Sequence, residues 1–139
     1  MTETGHRRTP GTVETGLEVW GPTRDECYAE AVRALLDVLG PPVPAGRARE
    51  VRVDLDPAPE EDLLVELLEE VLDLVGGSGL VPVDVSVTDR TDGGLMAELV
   101  AVPGVAEDLA ADVPSAVSDH GLVFHRESDH WVCRFLMEA

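Results

Sequence analysis

The sequence is poor in positive charge, in aromatic rings and in cysteine, and it contains no long apolar run. Lys and Arg together number 10 against 28 Asp and Glu, a formal net charge of −18. Such a surface repels phosphate backbones, which argues against direct nucleic-acid binding. It favours a basic partner surface or divalent cations, although the same charge also serves solubility or adaptation to salt. Aromatic residues make up only 4%, so the core has to be built from Leu, Val and Ala. The two cysteines, Cys27 and Cys133, are too few for a disulfide scaffold. Both lie in apolar, patterned segments and read as buried free thiols rather than as a bridge. No window is apolar for long enough to span a bilayer, and the N-terminus has no apolar signal region. The expectation is a cytoplasmic protein with no membrane partner.

At 139 residues, 44% hydrophobic and 27% charged, the chain has the size and balance of one globular domain. Residues 1–11 are polar and read as a flexible tail, and residues 12–139 read as the domain. Period-two alternation over residues 12–20 predicts a strand, stopped by Gly21-Pro22. Thr23 and Glu26 form a capping-box pair. The apolar residues that follow (Cys27, Tyr28, Ala31, Val32, Leu35, Leu36, Leu39) have helical spacing, which predicts a helix over 23–39. Residues 50–56 alternate again as a second strand.

Pro57 and Pro59, then Glu60, Glu61 and Asp62, suit the start of a helix. Residues 63–75 are apolar over so wide an arc that this second helix, 60–75, should be the buried centre, ending at Gly76-Gly77. Residues 81–88 and 95–102 are strand-like around a Gly-containing hairpin. Residues 103–112 read as a loop with a helical turn and 113–118 as a short strand. Residues 121–126 and 130–137 read as a closing hairpin with exposed His125 and His130. Helices early and antiparallel strands late give an α+β fold, two helices on a mostly antiparallel sheet.

Generic catalytic signatures are missing. No phosphate-binding glycine loop, dinucleotide fingerprint or zinc-ligand spacing occurs. Ser118, Asp119 and His120 are triad residue types, but consecutive strand residues point to opposite faces and cannot face one another. The reading is of a protein that is not itself an enzyme.

Several phrases, in order across residues 12–139, resemble the archease family. Residues 12–23, Thr-Val-Glu-Thr-Gly-Leu-Glu-Val-Trp-Gly-Pro-Thr, are similar to the family's opening "HTAD", strand and Gly/Pro break. Ala29-Glu30-Ala31-Val32-Arg33-Ala34-Leu35 resembles its first helix. Glu61-Asp62-Leu63-Leu64-Val65-Glu66-Leu67-Leu68 resembles "EDLLVEWL", the most specific match. Gly79-Leu80-Val81 resembles a Gly-hydrophobic strand entry. Ala116-Val117-Ser118-Asp119-His120-Gly121-Leu122 resembles "KAVTYHGL", and Trp131 with Leu136-Met137-Glu138-Ala139 resembles the closing "W…LDV".

The resemblance implies a non-enzymatic accessory protein. It would assist a GTP- and metal-dependent tRNA-splicing RNA ligase by promoting ligase guanylylation and turnover. The alternative it leaves open is an acidic binding or chaperone-like module without ligase activation; chaperoning of an RNA methyltransferase has also been proposed in the family. The implied site is an acidic, metal-ligating set with a Lys. In this chain Glu14 stands for the Asp of "HTAD" and Glu138 for the last Asp of "LDV". Both keep a carboxylate that can ligate a hard divalent cation, Ca or Mg. Gly11 replaces the family His and Ser115 the family Lys, removing an imidazole and an ammonium. His120 matches a family His and is expected to be packed or to support the site from behind. Activation is accordingly expected to be attenuated.

Overall fold

The structure, a computed structural model, describes residues 3–9, 15–39, 46–104, 116–118 and 120–138. Chain order among them is β1 (Gly5–Thr9), β2 (Thr15–Gly21), α1 (Arg24–Leu39), β3 (Arg49–Leu55), α2 (Glu60–Ser78), β4 (Leu80–Asp89), β5 (Leu95–Pro103), β6 (Ala116–Val117), β7 (Val123–Glu127) and β8 (His130–Glu138). The fold is α+β, with every described strand pair antiparallel.

Helix α1 starts where its capping residues dictate. The Thr23 hydroxyl accepts from the Glu26 N–H at 3.1 Å, and the Thr23 carbonyl accepts from the Cys27 N–H at 3.0 Å. Its apolar stripe is fully buried at Cys27, Tyr28, Ala31, Val32 and Leu35. Helix α2 has no side-chain cap; acids at Glu60, Glu61 and Asp62 oppose the positive end of its dipole instead. Its Leu63, Leu64, Leu67, Leu68 and Val71 are wholly buried, each contributing roughly 1.5–3 kcal/mol by transfer from water.

This helix does not stop at Gly76-Gly77 as expected but runs to Ser78. Glycine inside a helix costs only about 1 kcal/mol, which the packing of Leu72 and Val75 offsets. The stop comes from Gly79, whose φ of 65° is left-handed and whose N–H donates to the Leu74 carbonyl.

The strands divide between two sheets rather than forming one. The larger runs β1-β2-β8-β6, with β7 also on β8; the smaller runs β3-β5-β4. Both helices bridge the sheets. Helix α1 packs on β2, β8 and β4, and α2 on β3, β4, β6 and β7. Strand β4 carries a bulge between Pro82 and Asp84, tolerated because β4 is an edge strand.

The expected flexible tail needs correction. Gly5–Thr9 forms β1, paired with β2 from Gly5↔Trp20 to Thr9↔Gly16. Its residues lack an apolar face, so alternation could not reveal it. What attaches it is charge: Arg7 reaches Glu18 at 2.8 Å, and His6 contacts acids of α1. The expected strand start at residues 12–14, most of the loop before β3, and the expected loop and strand start at 105–115 lie outside the described residues. His125 and His130 prove half-buried, each ring contacting a neighbouring acid, Glu127 at 2.8 Å and Asp129 at 3.0 Å.

Candidate functional site

Three segments distant in sequence meet at the C-terminal end of β8. On one edge Thr15 pairs with Met137; on the other Ala116 pairs with Glu138 and Val117 with Met137. Met137 is buried and anchors the crossing in the core. Glu138, the last described residue of β8, is half-buried. Thr15 is the residue after Glu14, and Ala116 the residue after Ser115. Glu14, Gly11 and Ser115 themselves lie outside the described residues, so Glu138 is the described member of the expected carboxylate pair. Carboxylate oxygens fit a hard divalent cation in kind. Among the described residues, no three His, Cys, Asp or Glu side chains form a metal-binding group.

Beside this end the Ser118 N–H donates to the Leu136 carbonyl at 2.8 Å. Ser118 is buried, and its hydroxyl accepts from the His120 backbone N–H at 3.1 Å. His120 is exposed, contrary to the expectation of a packed imidazole. The chain turns outward here through Gly121, at φ 69°, and carries His120 out with it. The Ser118 hydroxyl thus meets the backbone of His120.

A second polar cluster, at the N-terminal ends of the two helices, escaped the sequence reading. Arg24 reaches Asp89 at 3.0 Å and Glu60 at 3.4 Å, and its guanidinium lies 5.6 Å from the centre of the Tyr28 ring. The Asp25 carboxylate accepts from the Asp89 N–H at 3.3 Å. Burial, then the hydrogen bond and charge of the Asp89 carboxyl, push Asp25 up to about 6. Arg24 Nε and Asp25 Oδ1 are buried without a partner among the described residues. The capping box marked the end of α1 in the sequence, but nothing local signals that the end of β4 lies against it.

On the larger sheet, Glu18 sits between Arg7 at 2.8 Å and Arg134 at 2.7 Å. Its burial raises the carboxyl pKa, but the two guanidinium partners outweigh that and hold it below its ordinary value. In the core Cys27 and Cys133 are free and buried. The hydrogen bond with Cys27, followed by burial, drives the Cys133 thiol far upward.

The sequence profile of the archease protein family matches residues 8–138. A Mycobacterium tuberculosis protein named "Probable protein archease" is 33% identical over 142 aligned positions, covering 99% of this chain and 76% of that one. Among solved structures, Methanobacterium thermoautotrophicum protein 1598 superposes with a TM-score of 0.68 at 18% identity, over 97% of this chain and 99% of that one. A Thermotoga maritima archease, described as a "possible chaperone", superposes with a TM-score of 0.64 at 18% identity, over 96% of this chain and 99% of that one.

Proposed function

Because the chain belongs to the archease family, we propose that it is a non-enzymatic accessory protein of a GTP- and metal-dependent tRNA-splicing RNA ligase, with attenuated activation. The supporting observation is the convergence at β8. The residue following Glu14 and the residue following Ser115 both pair with its last two described positions, Met137 and Glu138. Glu14 and Glu138 would hold Ca or Mg, which would supply a fixed positive charge between two carboxylates that otherwise repel. Glu138 is held by the β6 pairing; together with Glu14 it would offer negative charge to the ligase protein, with no direct contact to RNA.

Attenuation rests on the type of group replaced. Ser115 has neither the charge nor the reach of an ammonium. The sequence contains no Lys at all, so no other side chain supplies an ammonium, and the side-chain cations are guanidinium groups and histidines. Glu in place of Asp shifts each carboxylate by about one methylene, and misplacement by roughly an ångström can cost on the order of a hundredfold in a positioned reaction.

The test is multiple-turnover ligation by the cognate ligase, with the wild type, Ser115→Lys and Glu138→Gln, alongside a pull-down of the ligase. Weak stimulation by the wild type, raised by Ser115→Lys and abolished by Glu138→Gln, supports the reading. Ligase capture without stimulation by any variant supports instead a chaperone-like binding module. Strong stimulation by the wild type overturns attenuation.

A further inference from the structure

His6 faces α1 with an acid at each ring nitrogen. Nδ1 lies 2.6 Å from Glu30 Oε2, and Nε2 contacts Asp37 Oδ2. A neutral imidazole donates from only one nitrogen and would turn a lone pair toward the other carboxylate; the doubly protonated ring donates to both. Glu30 is 7% exposed. Its second oxygen takes Arg33 Nη1 at 3.1 Å, and Arg33 Nη2 donates to the Val85 carbonyl of β4 at 3.3 Å. Glu30 therefore stays paired whether or not His6 carries its proton. Asp37 is exposed. Arg8, two residues along β1 and on the same side of the strand, is the remaining charge on that face. Opposite His6 in β2 is the uncharged Val19.

Strand β1 has little else to hold it against the helix. It is an edge strand paired with β2 alone, and none of its residues is buried. Among the described residues, its side-chain hydrogen bonds to α1 are the two made by His6.

The geometry points to a proton-operated clamp: His6, charged between Glu30 and Asp37, holds β1 onto α1, and loss of its proton leaves β1 held only by its ladder with β2 and by Arg7–Glu18, so that it opens more readily while the rest of the sheet stays paired. The clamp stands independently of the ligase reading. It acts on the strand that leads into the segment carrying Gly11 and Glu14. Burial, the largest single influence on the ring, pulls its pKa down. The hydrogen bonds and charges of Glu30 and Asp37 together outweigh burial and leave it above 6.5. A His raised in the folded state contributes fully below the unfolded value of 6.5 and loses that contribution as pH rises through the folded value.

The test uses the full chain. The His6 ring is titrated by NMR, and exchange of the β1 amides, corrected for intrinsic rates, is followed from about pH 5 to about pH 9. The variants are His6→Gln and Asp37→Asn, the latter at an exposed acid that the fold does not need. Wild-type β1 opening should increase with pH, roughly tenfold for each unit by which the His6 pKa exceeds its unfolded value. Amides of β2 and β8 should hold their protection. His6→Gln should open β1 at every pH. Asp37→Asn should lower the His6 pKa and move the opening to lower pH. Protection of β1 that does not change with pH overturns the clamp. So does a His6→Gln profile matching the wild type at low pH, and so does loss of β2 and β8 protection in step with β1.

Discussion

Tyr28 of α1 stacks on Phe124 of β7, ring centroids 4.3 Å apart and planes inclined by 20°, while its hydroxyl donates to the Glu60 carbonyl at 3.0 Å. One side chain thus ties the first helix to the larger sheet and to the first turn of the second helix. Burial, the largest influence, pushes its phenol far above the ordinary tyrosine value, so it stays a neutral donor. Tyr28→Phe keeps the stack and loses the hydrogen bond, and should cost about 1 kcal/mol. Tyr28→Ala should cost about 3–5 kcal/mol. Urea unfolding of both variants checks this, and nearly equal costs would show that the ring contributes little.

Asp25 gives an acid-side signature. Its folded pKa of about 6 lies above the ordinary 3.8, so the folded state binds this proton more tightly than the unfolded chain. Its contribution to stability is therefore greatest below 3.8 and falls as pH rises toward about 6. Asp25→Asn removes the ionisation and its repulsion with Asp89. The variant should gain on the wild type as pH rises through this window and stay ahead at neutral pH. Urea melts of the pair at several pH values measure the difference, and a difference that does not vary with pH would refute the assignment.

Much of this architecture was readable residue by residue, and the exceptions share a cause. Both helices were legible because their apolar residues recur at helical spacing and Thr23 stands three residues before Glu26. The β4–β5 and β7–β8 hairpins were legible because their turn residues are local. Strand β1 was not, because its link to the helix is made by His6 and two acids from another element. The division into two sheets was not, because it depends on β2 pairing with β8, a contact between distant segments that leaves no local pattern. The expected site could be named from phrasing alone. That the flanks of Glu14 and Ser115 meet at one end of β8 had to come from the register. The family phrase carries the glycine after His120, but not that this glycine turns at a φ of 69° with His120 exposed.

Cys27 and Cys133 should resist aromatic disulfide reagents in the native protein. Thiolate is the reacting form, both thiols are buried, and the Cys133 pKa is driven upward. Labelling should appear only with unfolding, at a rate that follows denaturant concentration. Fast, stoichiometric labelling without denaturant would contradict the burial.

Gly79→Ala should destabilise the protein by about 1 kcal/mol, since the left-handed φ of 65° that ends α2 strains any residue with a Cβ. No neighbouring atom lies within 4 Å of the added Cβ, so the cost is conformational. Gly94→Ala should cost more, because its Cβ would stand 2.2 Å from the Leu55 carbonyl oxygen. Thermal and urea unfolding rank the two, and the reverse order would be inconsistent with this hairpin geometry.

Strand β8 pairs with β2 on one edge and with β7 and β6 on the other, and a ribosome makes it after all three. Until β8 emerges, β2 has no partner on that edge and the apolar side of α1 lacks part of its cover. The smaller sheet, with α2, draws on residues made earlier and can organise first. Docking of β8 then closes the larger sheet late, through contacts of high sequence separation, the kind that slow folding in general. A nascent chain halted before residue 130 would present an open strand edge over an apolar surface, the kind of surface that chaperones bind.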